Sequence, residues 1–197
     1  MKNVLFISMV AFSVLVSGGC KKKKEVDPCE GVTCLNGGTC NDGTCACPTG
    51  YTGANCGTQI TPTKVSIDSI RVTKFPTQTS GGGTWDTFPA TGNGLKPDIY
   101  CELKAAGGSS VLMTSKAQVV SNASTQTYIL PIFKTDFTDL VQQYTITLLD
   151  DDDLSGSDNM GSFDFSIYSN TNNFPKKYKV SNSTNTIEFE LTLSYTY

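Results

Sequence analysis

Apolar and polar residues alternate in short stretches along most of the chain beyond residue 62. In residues 187–193 the odd positions are apolar and the even positions are polar, which is the period of a strand with one buried face. The candidate strands are 64–74, 99–105, 111–114, 126–132, 144–150, 161–168, 178–181 and 186–197. The nearest approach to a helical turn is 136–140. This pattern predicts an all-β fold, with an antiparallel Greek-key β-sandwich formed by residues 63–197.

The first residues have the proportions of a secretory signal. Lys2 gives a basic start, and 4–16 is an apolar run broken only by serines. Such a run is too short to span a bilayer as a stable helix, but it suits a signal peptide. Three small residues at 17–19 then lead directly into Cys20. We therefore expect residues 1–19 to be removed.

This junction resembles the lipobox of bacterial lipoproteins of the Bacteroidetes type. It departs at Ser17, where the family usually has Leu, and the aliphatic Val16 stands one place earlier. The resemblance implies a diacylglycerol on Cys20 and an envelope protein anchored to the outer membrane, on its periplasmic or surface face. Residues 20–27 would form a lipidated tether, whose lysines 21–24 either approach anionic headgroups or act as a solvated spacer. The alternative is an ordinary secretory signal, which would leave a soluble protein.

Six of the eight cysteines lie between residues 29 and 56. This density in an exported chain indicates a disulfide framework. A segment of this size cannot bury enough apolar surface to fold without cross-links. Six cysteines allow 15 pairings, and their spacing alone does not choose among them.

The cysteine-rich segment resembles the EGF-like family. The likeness rests on the single residue between Cys45 and Cys47, the glycine pair at 37–38 and the Gly-Tyr-Thr-Gly run at 50–53. It implies a small disulfide-rich, EGF-like module at 28–57. The pairings that it implies are Cys29–Cys40, Cys34–Cys45 and Cys47–Cys56.

Metal binding by this module is disfavoured. Pro28 occupies the place where calcium-binding members of the family have an acidic or amide residue. A zinc cluster is disfavoured as well, because the C-x-C and C-x4-C spacings do not form paired knuckles. We expect a spacer or protein-contact unit, joined to the sandwich by the polar linker 57–62.

Carboxylates are concentrated at two places in the predicted sandwich. Asp98 comes immediately before a candidate strand, and Asp150, Asp152 and Asp158 follow another. Calcium takes six to eight oxygen ligands, whereas carboxylates held close together without a cation repel one another. The alternation of a strand places Asp150 and Asp152 on one side and Asp151 on the other. The alternative is a solvated acidic turn.

These segments resemble the tip loops of the C2 domain, in which an Asp-Pro-Tyr opens the second strand and the third loop reads D-x-D-x5-D-x2-G. Gly161 completes the loop pattern, and Ile99 replaces the usual Pro. The resemblance implies a C2-like domain at 63–197 with Ca²⁺ as its cofactor. The ligands that it implies are Asp98, Asp150, Asp152, Ser155, Asp158 and one residue of the first tip loop.

The first tip loop departs from the C2 pattern. Gly92 stands where the family has an aspartate, so Asp86 or Asn93 must supply that oxygen. We expect Asp86 because it is charged. The candidates for insertion into a membrane interface are Trp85, Phe88, Leu95 and Leu154, of which the two aromatic residues equally suit packing beneath the loops.

Composition narrows the functional classes. The chain has no histidine and a net charge of −3. The first excludes histidine-based triads and histidine-ligated zinc, and the second argues against a nucleic-acid partner. Cys101 alternates with Ile99 and Leu103 on one strand face, so we expect a buried, inert thiol.

We therefore predict that the protein is not an enzyme. The leading hypothesis is a non-catalytic, calcium-dependent binding module on the envelope, with anionic phospholipid, glycan or another protein as its ligand. The alternative is a structural, adhesive surface protein in which calcium only rigidifies the sandwich and the EGF-like module makes the contacts. Metal-dependent hydrolysis is disfavoured, because a cup that fills calcium's ligand positions leaves no general base aimed at a substrate.

Overall fold

The protein has an all-β fold in which a disulfide-rich module is followed by an antiparallel sandwich. The computed structural model describes residues 26–86, 95–124, 127–152 and 156–197. The predicted signal peptide, Cys20 and most of the tether lie outside these residues. Over the described ranges, no helix has the length and apolar character needed to cross a membrane.

The N-terminal module consists of two small hairpins held by cross-links. Its strands are β1 (Thr39–Asn41), β2 (Thr44–Ala46), β3 (Tyr51–Thr52) and β4 (Thr58–Gln59). The disulfides are Cys29–Cys40, Cys34–Cys45 and Cys47–Cys56, the pairing implied by the EGF-like resemblance. Strands of two or three residues bury little apolar surface, so the disulfides substitute for a core.

In the described residues, the sandwich has nine strands in two sheets. They are β5 (Lys64–Lys74), β6 (Ile99–Ala105), β7 (Val111–Thr114), β8 (Tyr128–Leu130), β9 (Thr135–Phe137), β10 (Gln143–Asp152), β11 (Gly156–Ser166), β12 (Lys177–Ser181) and β13 (Glu188–Thr196). One sheet has the order β11-β10-β6-β7, and the other has the order β12-β13-β5-β8, with β9 also paired to β5. Strands distant in sequence become neighbours as the chain crosses between sheets, which is a Greek-key arrangement.

The core lies between the two sheets and follows the alternation of the sequence. On β13, Phe189, Leu191 and Leu193 are buried while the intervening polar residues are partly exposed. On β10, Ile146 and Leu148 are fully buried in the same cluster. Burial of each such side chain contributes about 1.5–3 kcal/mol. Because the apolar residues occupy alternate positions and so share one face of each strand, their burial determines which face of each sheet packs inside.

The stretch 136–140, where the sequence pattern comes nearest to a helical turn, contains none. Strand β9 lies there instead and pairs with the beginning of β5. Ser66 donates a hydrogen bond from Oγ to Asp136 Oδ1 at 2.6 Å. Phe137 packs edge-on against Tyr144, with 4.8 Å between ring centroids. Phe137 is therefore a core residue of a short strand.

The EGF-like module is docked on the sandwich at the end where β11 finishes. Gln59 Nε2 donates to Tyr168 Oη at 3.1 Å, and Gln59 Oε1 accepts from the Asn173 backbone N–H at 3.2 Å. Tyr51 meets Phe174 edge-on, with 5.4 Å between ring centroids. These contacts join the two modules through side chains as well as through the linker.

The acidic hairpin and this junction lie at opposite ends of the same strand. β11 begins at Gly156, which pairs with Asp152, and it ends at Ser166, two residues before Tyr168. Its 11 residues span about 35 Å at the rise of a strand. The sandwich thus separates the carboxylates from the EGF-like module by most of its length.

Gly50 provides a test of the docking. Its φ is +92°, and a Cβ there would lie 2.8 Å from Phe174 Cε2 and would collide with the Tyr197 hydroxyl. We expect Gly50→Ala to lower the melting temperature more than Gly107→Ala, a matched control with φ +76° and nothing within 4 Å of the new Cβ. The control carries only the backbone strain of about 1 kcal/mol. Equal losses in calorimetry would show that the junction is not closely packed.

Candidate metal centre

Two aspartates reach the inner face of the sandwich because β10 keeps its alternation to its end. Tyr144, Ile146 and Leu148 are buried, and the next inward positions are Asp150 and Asp152. Asp150 is 0% exposed, although it is a carboxylate. The strand therefore carries charge to the edge of an apolar core, where desolvation disfavours the ionised form.

Only one of the two Asp150 oxygens has a hydrogen-bond partner. Oδ1 accepts from the Asp98 backbone N–H at 2.6 Å, which holds the end of β10 against the residue that precedes β6. Oδ2 is buried and has no hydrogen-bond partner in the described part of the chain. A buried carboxylate oxygen without a partner carries a substantial desolvation penalty.

Asp86 and Asp152 lie close to the Asp150 carboxylate. One carboxylate oxygen from each of Asp86, Asp150 and Asp152 lies within 4.8 Å of the others. Asp86 comes from the connection that follows β5, whereas the other two come from β10. Asp150 pairs in register with Ile99, so the start of β6 borders the same cluster.

Asp151, between Asp150 and Asp152 on β10, is directed to the opposite face of the sheet, where an ion pair neutralises its charge. Asp151 Oδ1 lies 2.9 Å from Lys116 Nζ and accepts a hydrogen bond from Ser157 Oγ at 3.1 Å. Lys116 also lies over the Tyr100 ring, 5.1 Å from its centroid, and the Tyr100 hydroxyl donates to Ser157. The hydrogen bond to Asp151 also raises the pKa of Lys116.

The inner carboxylates perturb one another. Burial raises the pKa of Asp150 to about 7; the hydrogen bond from the Asp98 backbone opposes this rise, and the charges of Asp86, Asp152 and Asp98 add to it. The pKa of Asp86 is also raised, first by burial and then by the charges of Asp98 and Asp152. Each group in this cluster resists the ionisation of its neighbours.

A bound cation would relieve this repulsion. Six carboxylates elsewhere in the described chain form ion pairs with lysines, and none of those pairs involves Asp86, Asp98, Asp150 or Asp152. The donor set is entirely oxygen, which suits a hard divalent ion. The residues present therefore fit calcium, with Asp86, Asp150 and Asp152 as its carboxylate ligands.

Two of the predicted ligands lie beside this cluster and not in it. Asp98 contributes its negative charge, but its Oδ1 accepts the Asn122 backbone N–H at 2.6 Å. Asp158 is exposed on β11, opposite Asp150 in the strand register. The C2 loop pattern predicts an open loop from Asp150 to Gly161. In the structure the two strands instead stay paired up to Asp152 and Gly156, and three residues connect them.

The predicted membrane-tip residues differ in their placement. Leu95 is 47% exposed. Trp85 is not an exposed tip: it is 9% exposed, packs in the core, and donates from Nε1 to the Pro76 carbonyl at 2.9 Å. Burying the large indole with its N–H satisfied is more favourable than exposing it. Phe88, Asn93, Leu154 and Ser155 lie outside the described residues.

Cys101 matches the prediction of an inert thiol. It is a free cysteine with 0% exposure, and burial raises its pKa to about 12. Sequence reasoning missed the two contacts that organise the acidic end, the Lys116–Asp151 ion pair and the Asp98 backbone donor. Both join positions far apart in sequence, and no local pattern marks either one.

The raised pKa of Asp150 predicts how the metal-free protein responds to pH. A carboxyl group whose folded pKa exceeds its unfolded value of about 3.9 stabilises the fold fully below the unfolded value. That contribution is lost as pH rises through the folded pKa near 7. In EDTA, the melting temperature of the wild type should therefore fall between pH 5 and pH 8. The fall should be smaller in Asp150→Asn, by roughly 5 °C. Parallel profiles would contradict this assignment.

Comparison with known protein families identifies the N-terminal module. Residues 29–56 match the family model of the EGF-like domain. No curated protein sequence is significantly similar to the chain.

Solved structures resemble the chain only distantly. Human GIVD cytosolic phospholipase A2, in complex with methyl γ-linolenyl fluorophosphonate, matches with 12% identity and a TM-score of 0.41, covering 68% of this chain and 17% of that one. A pair of C2 domains from extended-synaptotagmin 2 matches with 14% identity and a TM-score of 0.41, covering 68% and 40%. A single C2 domain of plant extended synaptotagmin 1 matches with 10% identity and a TM-score of 0.36, covering 70% and 97%. The chain thus spans 17% of the phospholipase, and likenesses this distant carry no argument about activity.

Proposed function

We propose that the sandwich is a non-catalytic module that binds calcium through Asp86, Asp150 and Asp152 and uses the ion to bind an anionic ligand. The observation that carries this proposal is the buried Asp150 carboxylate, whose Oδ2 has no hydrogen-bond partner in the described chain while two further carboxylates face it. A divalent cation would satisfy that oxygen and would neutralise the repulsion within the cluster.

Calcium suits this donor set better than a transition metal. Zinc favours imidazole and thiolate ligands, and the chain has no histidine. The cysteines of the EGF-like module are paired in disulfides, and Cys101 is buried away from the cluster. Calcium accepts carboxylates, carbonyls and water in flexible geometry, so loop oxygens and ligand oxygens can complete its coordination.

Three carboxylates supply fewer oxygens than calcium takes, so open positions would remain for a ligand. Leu95, which is 47% exposed, stands three residues before Asp98 in the sequence. An exposed apolar side chain on the segment that leads to the cluster suits the surface of an anionic membrane, where headgroups meet acyl chains. Anionic phospholipid is therefore the first ligand to test.

The structural alternative is supported by a different feature of the same site. Asp150 is fully buried, so an ion held there would stiffen the sandwich whether or not it contacts a ligand. In that case the EGF-like module would make the functional contacts.

The proposal includes the envelope anchor. Cys20 follows a signal-like run and precedes four lysines, and a multiply acylated cysteine would hold the protein stably on a membrane. Because the acidic end lies about 35 Å from the EGF-like junction along β11, the calcium site would be held away from the tethered end of the protein.

Calcium should raise the melting temperature of the chain. At a free concentration one hundred times the Kd, the stabilisation is about 2.7 kcal/mol, or roughly 5–10 °C for a domain of this size. Asp86→Asn combined with Asp152→Asn should remove this shift, as measured by calorimetry with calcium and with EDTA.

Two single variants sharpen the calcium test. Asp164→Asn removes the same charge from an exposed position at the other end of the hairpin and should leave the shift unchanged. Asp158→Asn should retain most of the shift, because that carboxylate lies outside the cluster. An undiminished shift in the Asp86/Asp152 double variant would overturn the site.

Sedimentation with phosphatidylserine vesicles then separates the two functions, since stabilisation without vesicle binding favours the structural alternative.

The anchor has an independent test. Cells expressing the full chain and fed an alkyne fatty acid should label the protein, and the Cys20→Ala variant should carry no label, because the acyl groups would be attached at that residue. Washed membranes should retain the wild type and release the variant. Equal labelling of both proteins would exclude lipidation at Cys20.

A further inference from the structure

A cleft of about 390 Å³ lies where the EGF-like module meets the sandwich. Its volume falls in the range of small-ligand sites, which occur preferentially between domains. The lining residues are Thr49, Tyr51, Asn173, Phe174, Lys176, Leu193, Ser194, Tyr195 and Tyr197. None of them belongs to the acidic cluster, which lies at the other end of β11.

Aromatic rings form the walls of this junction cleft. Phe174 lies at the centre of these rings. It makes edge-on contacts with Tyr51, Tyr195 and Tyr197, at centroid distances of 5.3–5.4 Å. An edge-to-face contact covers at most one face of each outer ring. Tyr197 is 39% exposed and Tyr51 is partly exposed, so ring surface remains available in the cleft.

Several polar groups around the rings have no partner among the described residues. Within the described residues, the side chains of Thr49, Asn173 and Lys176 make no hydrogen bond or ion pair, and neither do the hydroxyls of Tyr51 and Tyr197. The cleft therefore combines apolar ring faces with an amide, an ammonium and several hydroxyls that are free to bind a ligand.

We propose that this junction cleft binds a carbohydrate chain. A pyranose ring has a face of C–H groups, which carry partial positive charge and are attracted to the negative face of an aromatic ring. Its hydroxyls alternate as donors and acceptors around the rim, and they match the unpartnered groups of Asn173, Lys176 and Tyr197. This inference goes beyond the proposed calcium site and does not depend on it.

Other occupants fit the junction cleft less well. An acyl chain would leave its amide, ammonium and hydroxyls without partners. An extended peptide that adds a strand would need a free strand edge, and β13, which carries the lining residues Leu193, Ser194 and Tyr195, pairs with β12 on one side and β5 on the other. At the floor of the cleft, the Leu193 backbone N–H already donates to the Lys176 carbonyl.

The test is isothermal titration of the full chain with laminarin, xylan and polygalacturonate, each in EDTA so that no calcium is bound. We expect at least one polysaccharide to bind, and we expect Tyr197→Ala and Lys176→Ala each to weaken that binding at least tenfold. Calcium should leave the affinity unchanged, which separates this site from the acidic cluster.

Two matched controls locate the binding. Phe133→Ala removes an aromatic ring that is 88% exposed elsewhere on the sandwich, and Lys179→Ala removes a nearby exposed ammonium. Both should bind as wild type does. If Tyr197→Ala unfolds the junction, Lys176→Ala still decides, since that side chain has no partner in the described chain whose loss could disturb the fold. Binding of none of the three polysaccharides, or binding that neither cleft variant weakens, overturns the inference.

Discussion

The acidic end of this protein is organised around one buried carboxylate. Asp150 extends the inward face of β10 beyond the apolar residues that precede it, so a charged group lies where the core ends. Its Oδ1 accepts a hydrogen bond from the backbone that leads into β6, and its Oδ2 has no hydrogen-bond donor in the described chain. Asp86 and Asp152 each bring a carboxylate oxygen close to the Asp150 carboxylate. Such an arrangement persists only if a proton or a cation offsets the repulsion. The proposed calcium site follows from that constraint.

The opposite face of the same strand shows how the charges are sorted. Asp151 is paired with Lys116 and hydrogen-bonded to Ser157, so its charge is neutralised within the protein. Adjacent aspartates thus lie in different electrostatic environments, because successive side chains of a strand point to opposite faces. The lysines that neutralise carboxylates elsewhere leave the inner cluster without a counter-charge in the described chain. The inner cluster therefore keeps its negative charge, whereas six other carboxylates of the described chain are paired with lysines.

The two ends of the sandwich have different chemistry. One end carries carboxylates suited to a hard cation, and the other carries the aromatic junction with the EGF-like module. The junction is made by side chains, with Gln59 bridging to Tyr168 and with Gly50 admitting Tyr197 and Phe174 at close range. A disulfide-stapled module of this size contributes little core of its own. Its packing against the sandwich therefore creates the cleft and fixes the relative position of the two modules.

Features that depend on local periodicity and on covalent chemistry could be predicted from the sequence. Alternation located most of the strands and placed Asp150 and Asp152 on one face, because side-chain direction in a strand is set by position alone. The resemblance of the cysteine segment to the EGF-like family implied the three disulfides that the structure contains. Tertiary structure alone decided which acids converge, because convergence depends on strand register and on a loop contributed by another element. It brought Asp86 to β10, turned Asp98 toward Asn122, left Asp158 on the surface and drew Trp85 into the core. The junction cleft likewise exists only because residues more than 100 positions apart, such as Gln59 and Tyr168, are brought into contact.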